Sequence, residues 1–325
     1  MEHLETIVKS LYNESHRYFH NMDHINDILK LIDIHFTEKT DNTTYYDAFV
    51  VAAYFHDSVY DPRHPEYSVS KSISFLISNT IRISSNPVVI DLAIDLIKGT
   101  NIYDENKCTP EQNLFNSFDR DVLTKPLKDL ISYGDKIWKE YSFLDRDHFI
   151  SEHIKLLKSI DAGKNPDMPA YFAYIKCKKI RVGIYPGSFN PFHKGHKFIV
   201  SEANKIFDKV VISIGDNPDK KNTSLNFKVC DGYLPNVKYF EVVKFNGLLS
   251  DLVNYYEDKN YDVTIIKGIR DGMDLDYENK QRLFLKDFKP DLKYVYIPCS
   301  NDYSYISSNM LRVIEKFGKS IDNYI

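Results

Sequence analysis

The texture of the chain changes near residue 178, and that change constrains its fold more than any other feature. Upstream, apolar residues recur at three- and four-residue spacing in HINDILKLIDIHF (24–36), YYDAFVVAAYFHD (45–57) and DHFISEHIKLLKSI (147–160), which is the period of helices. Downstream, KIRVGIYPG (179–187), KVVISIGD (209–216), VKYFEVV (237–243), DVTIIKG (262–268) and LKYVYIP (292–298) are short, β-branched and almost continuously apolar. Helical patterns (KFIVSEANKIF, GLLSDLVNYYEDK and DLDYENKQRLFLKDF) separate most of them. Strands buried on both faces and alternating with helices predict a parallel sheet. The stretch DAGKNPDMPAY (161–171), with one Gly and two Pro, reads as a linker. The expectation is an all-α domain over 1–175 followed by an α/β domain over 179–325.

At 325 residues the chain is long enough for two such cores. Its formal net charge is −4, and its Lys and Arg are spread rather than massed, which argues against nucleic-acid and membrane-surface partners. Cys108, Cys177, Cys230 and Cys299 form no CxxC pair and read as free thiols of a reducing compartment. No apolar run approaches the roughly 18 residues that span a bilayer, and the first residues lack a leader pattern. A cytoplasmic, soluble protein is expected.

Three polar clusters fall where predicted strands give way to helices, the place where open α/β sheets bind ligands. The first is GSFNPFHKGH (187–196); the second is Lys267-Gly268-Ile269-Arg270 with Asp274, Tyr277 and Glu278; the third is YSYISSN (303–309). Moving a nucleotidyl group between two anions requires no protein nucleophile, but it does require phosphates to be neutralised and positioned. The imidazoles of His193 and His196 can donate hydrogen bonds to phosphate oxygens, and Gly195 allows close backbone approach. Arg270 can grip phosphate with its fork. Ser307 and Ser308 open a helix whose N–H groups favour an anion, although serines there can equally be simple caps. Together these residues read as one cationic cradle for a triphosphate.

Those segments, with KGIRDGMDLDYE, resemble the signatures of bacterial phosphopantetheine adenylyltransferases of the HxGH nucleotidyltransferase superfamily, over about 179–320. The resemblance implies a Rossmann-like nucleotidyltransferase domain that makes dephospho-coenzyme A from ATP and 4′-phosphopantetheine. It implies catalytic roles for His196, His193, Lys220 and Arg270. It implies ATP at Ser188, Phe189, His196, Gly268, Ile269, Arg270, Glu278, Tyr303, Ser304, Tyr305, Ile306, Ser307, Ser308 and Asn309. Ser188, Lys220, Leu249 and Lys267 would face the acceptor, and Mg2+ would accompany ATP. Where this chain has Asn190 and Lys267 the family usually has Asp and Arg, and the segment 222–236 is shorter than the family's helix. PFHKGH with ISSNMLR and Arg312 also resembles nicotinamide-nucleotide adenylyltransferases, the alternative acceptor class. A homo-oligomer, of six chains in the family manner, is the assembly the resemblance implies.

The helical half holds nine of the eleven histidines. His56-Asp57 ends the apolar run AFVVAAYF, where an unpaired charge at the edge of a core is costly. Histidine with carboxylate suits a divalent metal. His20 and His24 would share a face if their segment is helical. RYFHNMDHI, FHDSVYDPRHPEYS and DRDVL resemble segments of metal-dependent HD-domain phosphohydrolases. The resemblance implies ligands for Mn, Fe, Co or Mg at His24, His56, Asp57 and Asp121, with Asp119 as the alternative to Asp121. It puts Arg17, His20 and Glu66 around them and implies metal-assisted hydrolysis of a phosphate ester. A non-catalytic metal- or nucleotide-sensing domain is the competing reading.

Overall fold

The structure is a computed structural model that describes residues 2–37, 43–84, 86–215 and 240–325. Contacts divide the chain into two compact units, Met1–Tyr141 with Asp145–Cys177, and Ser142–Leu144 with Lys178–Ile325.

The first unit is helical. Helices α1 (Glu2–Tyr12), α2 (Met22–Thr37), α4 (Pro65–Ser78), α6 (Pro87–Gly99) and α7 (Pro110–Asp119) share one apolar core with α3 (Thr43–Phe55); α5 is the short turn Thr80–Ile83. Every residue of α3 from Ala48 to Phe55 is buried, so the helix is apolar all round, as a central helix must be. His56 and Asp57 follow directly at its end, the first polar pair at the edge of that core. Truncating a side chain such as Phe49, 1% exposed, to Ala would cost about 3–5 kcal/mol.

Helices α8 (Leu127–Glu140), α9 (Arg146–Asp161) and α10 (Met168–Cys177) build a second cluster around Leu130, Leu157 and Tyr171. A Cβ on Gly134 would meet the Tyr171 hydroxyl at 2.1 Å, so only glycine lets α8 and α10 approach there. The expected linker 161–171 is therefore largely the approach to and start of α10. Its Gly and Asn make the turn: Asn165 Nδ2 donates to the carbonyls of Leu123 and Lys125 at 2.7 and 2.9 Å.

In the second unit β1 (Arg181–Gly187), β2 (Lys209–Gly215), β3 (Glu241–Phe245), β4 (Asp262–Ile269) and β5 (Tyr294–Pro298) form one sheet in the order β3-β2-β1-β4-β5. Every pairing is parallel, with Ile184 opposite both Val211 and Ile265. Among the described residues its helices are α11 (Lys194–Ile206), α12 (Leu249–Asp258), α13 (Gly272–Lys286) and α14 (Ser308–Lys316). The order of the strands reverses between β1 and β4, so the connections leave their carboxyl ends toward opposite sides and a crevice opens there. The three polar clusters follow β1, β4 and β5. The strand expected over 237–243 is described only from residue 240, and the 222–236 segment, Lys220 and Cys230 lie outside the described residues. Among the described residues no helix is long and apolar enough to cross a membrane, and Cys108, Cys177 and Cys299 are free thiols.

Candidate functional site

Past β1 the chain turns sharply. Phe189 has left-handed backbone (φ 44°), unusual for a bulky residue, and its buried ring packs edge-on against Tyr185 and His196. His193 caps α11 with extended backbone, and its amide donates to Nδ1 of His196 at 3.2 Å. That bond sets the tautomer, because a neutral His196 with Nδ1 accepting must carry its proton on Nε2. The two rings stack with centroids 3.7 Å apart. A Cβ on Gly195 would lie 3.0 Å from the His193 ring, so glycine there allows the ring to fold back over the start of α11. Burial, then the nearby Arg270 guanidinium, lowers His193 to about 4. Burial, His193 and Arg270 hold His196 well below the ordinary imidazole value. Both rings are neutral donors at pH 7.

His193, His196, Gly268, Arg270, Glu278, Tyr303, Ile306, Ser307 and Ser308 line one cleft of about 250 Å³, so residues more than a hundred positions apart do come together. The start of α14 is tied to the β1 turn: Ser308 Oγ donates to the Pro191 carbonyl at 2.9 Å, and Arg312 donates to the Asn190 carbonyl. Ser307 Oγ caps α14 by accepting from the Met310 amide at 3.2 Å. The bland reading of Ser307 as a cap thus holds beside its position in the cleft.

The expectation of a cationic cradle needs amending, because Lys267 and Arg270, the two cations of the second cluster, are already paired with α13. Arg270 meets Asp274 through Nε (2.7 Å) and Nη2 (2.8 Å), and Lys267 meets Glu278 at 2.8 Å. What lines the cleft is a charge-compensated set of donors. Ser188, Phe189, Ile269, Lys267, Ser304, Tyr305 and Asn309 flank it without lining it. The Phe189 ring is core, Ile269 ends β4 with its carbonyl accepting from Cys299, and Tyr305 is largely exposed. Leu249, expected at the acceptor, is the first residue of α12.

A family model described as cytidylyltransferase-like matches residues 184–314. The phosphopantetheine adenylyltransferase of Clostridium botulinum (strain Alaska E43 / Type E3) is 35% identical over 149 residues, which are 45% of this chain and 91% of that protein. The chain belongs to the phosphopantetheine adenylyltransferase family. The relatives from Clostridium perfringens (strain SM101 / Type A) and Buchnera aphidicola subsp. Schizaphis graminum are each 36% identical over 152 residues, covering 45% of this chain and 88% of theirs. The adenylyltransferase match falls on the second unit and gives the helical unit no identity.

That helical unit has a polar centre of its own. His24, His56 and Asp57 bring one ligand atom each to within 4.8 Å of one another. Asp119, on the last turn of α7, completes the group: its Oδ1 lies 3.0 Å from His24 Nε2 and 3.3 Å from His56 Nε2. His56 Nδ1 donates to the Ala53 carbonyl at 3.0 Å, which turns Nε2 toward Asp57 and Asp119, 3.3 Å from each; burial disfavours a charged ring there, but the two carboxylates outweigh it and hold His56 well above the ordinary imidazole value. That buried Nε2 has no hydrogen-bond partner of its own among the described residues. Burial alone would raise the Asp119 carboxyl, but His24 and His56 outweigh it and hold it well below the usual range.

Asp121 is not part of this group. It opens the 3-10 turn after α7 and pairs with Lys125 at 2.6 Å, because two residues further along the chain has rotated away from the histidines. Glu66 is also elsewhere, more than half exposed and 3.6 Å from His64. α2 begins only at Met22, so His20 sits in the turn before it rather than on one helix face with His24; the rings are nonetheless 6.2 Å apart. Arg17 is spent on structure, donating to the carbonyls of Asp57 and Ser58 at 2.7 and 3.1 Å and to Glu14.

Sequence reasoning missed Glu140. This fully buried carboxylate at the end of α8 accepts the amides of Tyr18, Phe19 and His20, the Tyr60 hydroxyl at 2.8 Å and His20 Nδ1 at 2.6 Å. It fixes the turn that presents His20 to Asp57. Nothing in the local sequence IWKEY marks it.

Proposed function

We propose that the second unit transfers an adenylyl group from ATP to 4′-phosphopantetheine, giving dephospho-coenzyme A and pyrophosphate. The observation that carries this is the His193–His196 pair, whose tautomer leaves His196 Nε2–H as a donor in the same cleft as Arg270 and the start of α14. Donors placed where charge develops on the transferring phosphorus stabilise the transition state without any covalent step. Mg2+ enters with ATP as part of the substrate. Arg312, the residue behind the nicotinamide mononucleotide alternative, is engaged with the Asn190 carbonyl and Asn309, a scaffold role. The test is pyrophosphate release from ATP with each acceptor offered separately: turnover with phosphopantetheine alone supports the reading, and turnover only with nicotinamide mononucleotide overturns it.

The assembly we infer is a homo-oligomer. α13 buries none of its residues, and Met273, Leu283 and Phe284 are 82, 63 and 61% exposed, an apolar face that monomers seldom leave uncovered.

For the helical unit we infer a metal-dependent phosphohydrolase. His24, His56, Asp57 and Asp119 would hold a divalent ion such as Mn, Fe, Co or Mg; two imidazoles and two carboxylates are a fitting donor set, and the orphaned His56 Nε2 supports it. Such an ion supplies Lewis-acid polarisation of phosphate and water when bound. Metal content of the purified chain, with and without His56→Ala, tests the site. Bound metal without turnover of any phosphoester would favour the sensing role instead.

A further inference from the structure

A cleft of about 500 Å³ opens beside the His24–Asp119 pair in the helical unit. From His24 one face of α2 runs outward through Ile28, Leu31 and Ile34, a spacing of four, three and three residues that keeps them on one side. At 1.5 Å per residue that strip reaches about 15 Å from the cluster. Phe118 and Val122 line the cleft as well, and Phe19 and Tyr133 meet edge-on at 4.8 Å next to the His24 ring. Ile34, toward the far end, is 64% exposed. The charge along the cleft is acidic, three lysines against five aspartates. Two of those lysines are already paired, Lys30 with Asp27 and Lys125 with Asp121. A polyphosphate or oligonucleotide would meet a repulsive wall there, whereas an uncharged body would bury apolar surface.

We propose, resting on the phosphohydrolase reading above, that this groove holds the alcohol part of the substrate: a phosphomonoester of an extended, largely apolar alcohol about 15 Å long. Its phosphate sits at the cluster and its body lies along the α2 strip. In the reaction water adds to phosphorus and the P–O bond to the alcohol breaks. One proton of the water passes to the alcohol oxygen, and inorganic phosphate and the free alcohol leave.

The test titrates the full chain, metal-free and Mn2+-loaded, with n-alkylphosphonates from methyl to decyl, which cannot be hydrolysed. Affinity should rise roughly fourfold per methylene until the groove is filled, in both forms. Ile34→Asp, at an exposed position that leaves the fold intact, should flatten that rise. Equal or absent binding across the series, or a rise untouched by Ile34→Asp, overturns the proposal. Mn2+ binding without a chain-length dependence removes the groove and leaves the metal reading standing. A chain-length dependence without Mn2+ binding keeps the groove and removes the hydrolase.

Discussion

Arg270 and Asp274 hold each other through three hydrogen bonds: the guanidinium fork at 2.7 and 2.8 Å, and the Arg270 amide at 3.1 Å to the same carboxylate. The carboxylate fixes the plane of the fork, which leaves Nη1 outside these bonds. Asp274→Ala should therefore lower kcat/KM for ATP on the order of tenfold by loosening that orientation. The melting temperature should hardly move, since the pair is partly exposed and such pairs add little stability. Steady-state kinetics with thermal melts check both halves; unchanged or improved kcat/KM would mean that Asp274 merely competes with phosphate.

Neutral imidazoles in the cleft predict proton uptake when the triphosphate arrives. His193 is held at about 4 and His196 also lies below its ordinary value; an anion favours the charged ring and raises both. ATP binding at pH 6 should take up protons, and at pH 8 it should take up almost none. Calorimetry in buffers of different ionisation enthalpy measures this, and buffer-independent heats at pH 6 would contradict it.

Stability should fall in mild acid for a separate reason. His153 Nε2 bonds the Tyr171 hydroxyl at 2.9 Å in the α8–α10 cluster, and burial lowers this ring to about 4 from an ordinary 6.5. Between those values the unfolded chain binds more protons, so stability is fully present above 6.5 and declines as pH falls toward 4. The loss approaches roughly 3 kcal/mol below both values. Chemical unfolding of the full chain from pH 7.5 to 4.5 should show this decline, and His153→Phe should reduce it.

Asp119 and Asp121 differ in what their loss should do. Asp119→Ala and His56→Ala should each weaken Mn2+ binding at least about a hundredfold, as expected for first ligands. Asp121→Ala should leave it within a factor of about two, because its partner is Lys125. Metal titration of the three variants decides; the opposite order would restore Asp121 as the ligand.

If α13 is an interface, Leu283→Asp with Phe284→Asp should convert the oligomer to a monomer by light scattering while circular dichroism stays unchanged. A wild-type chain that is already monomeric would contradict the assembly.

Much of this was legible because burial writes itself locally. β2 is buried along nearly its whole length, so KVVISIG had to be apolar in consecutive positions. The HxGH turn could be read because its histidines are three residues apart and meet within one helical turn. Features that depend on distant packing were not legible. Glu140 lies 120 residues from His20, and an acid at a helix end usually faces water. Asp119 and Asp121 are separated by one residue, and only the end of α7 decides which faces the histidines. The pairing of Lys267 and Arg270 with α13 could have been suspected from the four-residue step between Arg270 and Asp274, but a sequence does not reveal that a cation is already neutralised.

The central claim is that this cleft stabilises the transition state of adenylyl transfer rather than simply holding ATP. Measuring kcat and the ATP dissociation constant of His196→Ala side by side tests it most directly. The loss of one preorganised donor should lower kcat by about 10²–10³ while ATP binding stays within roughly twofold. Equal losses in both would contradict the claim.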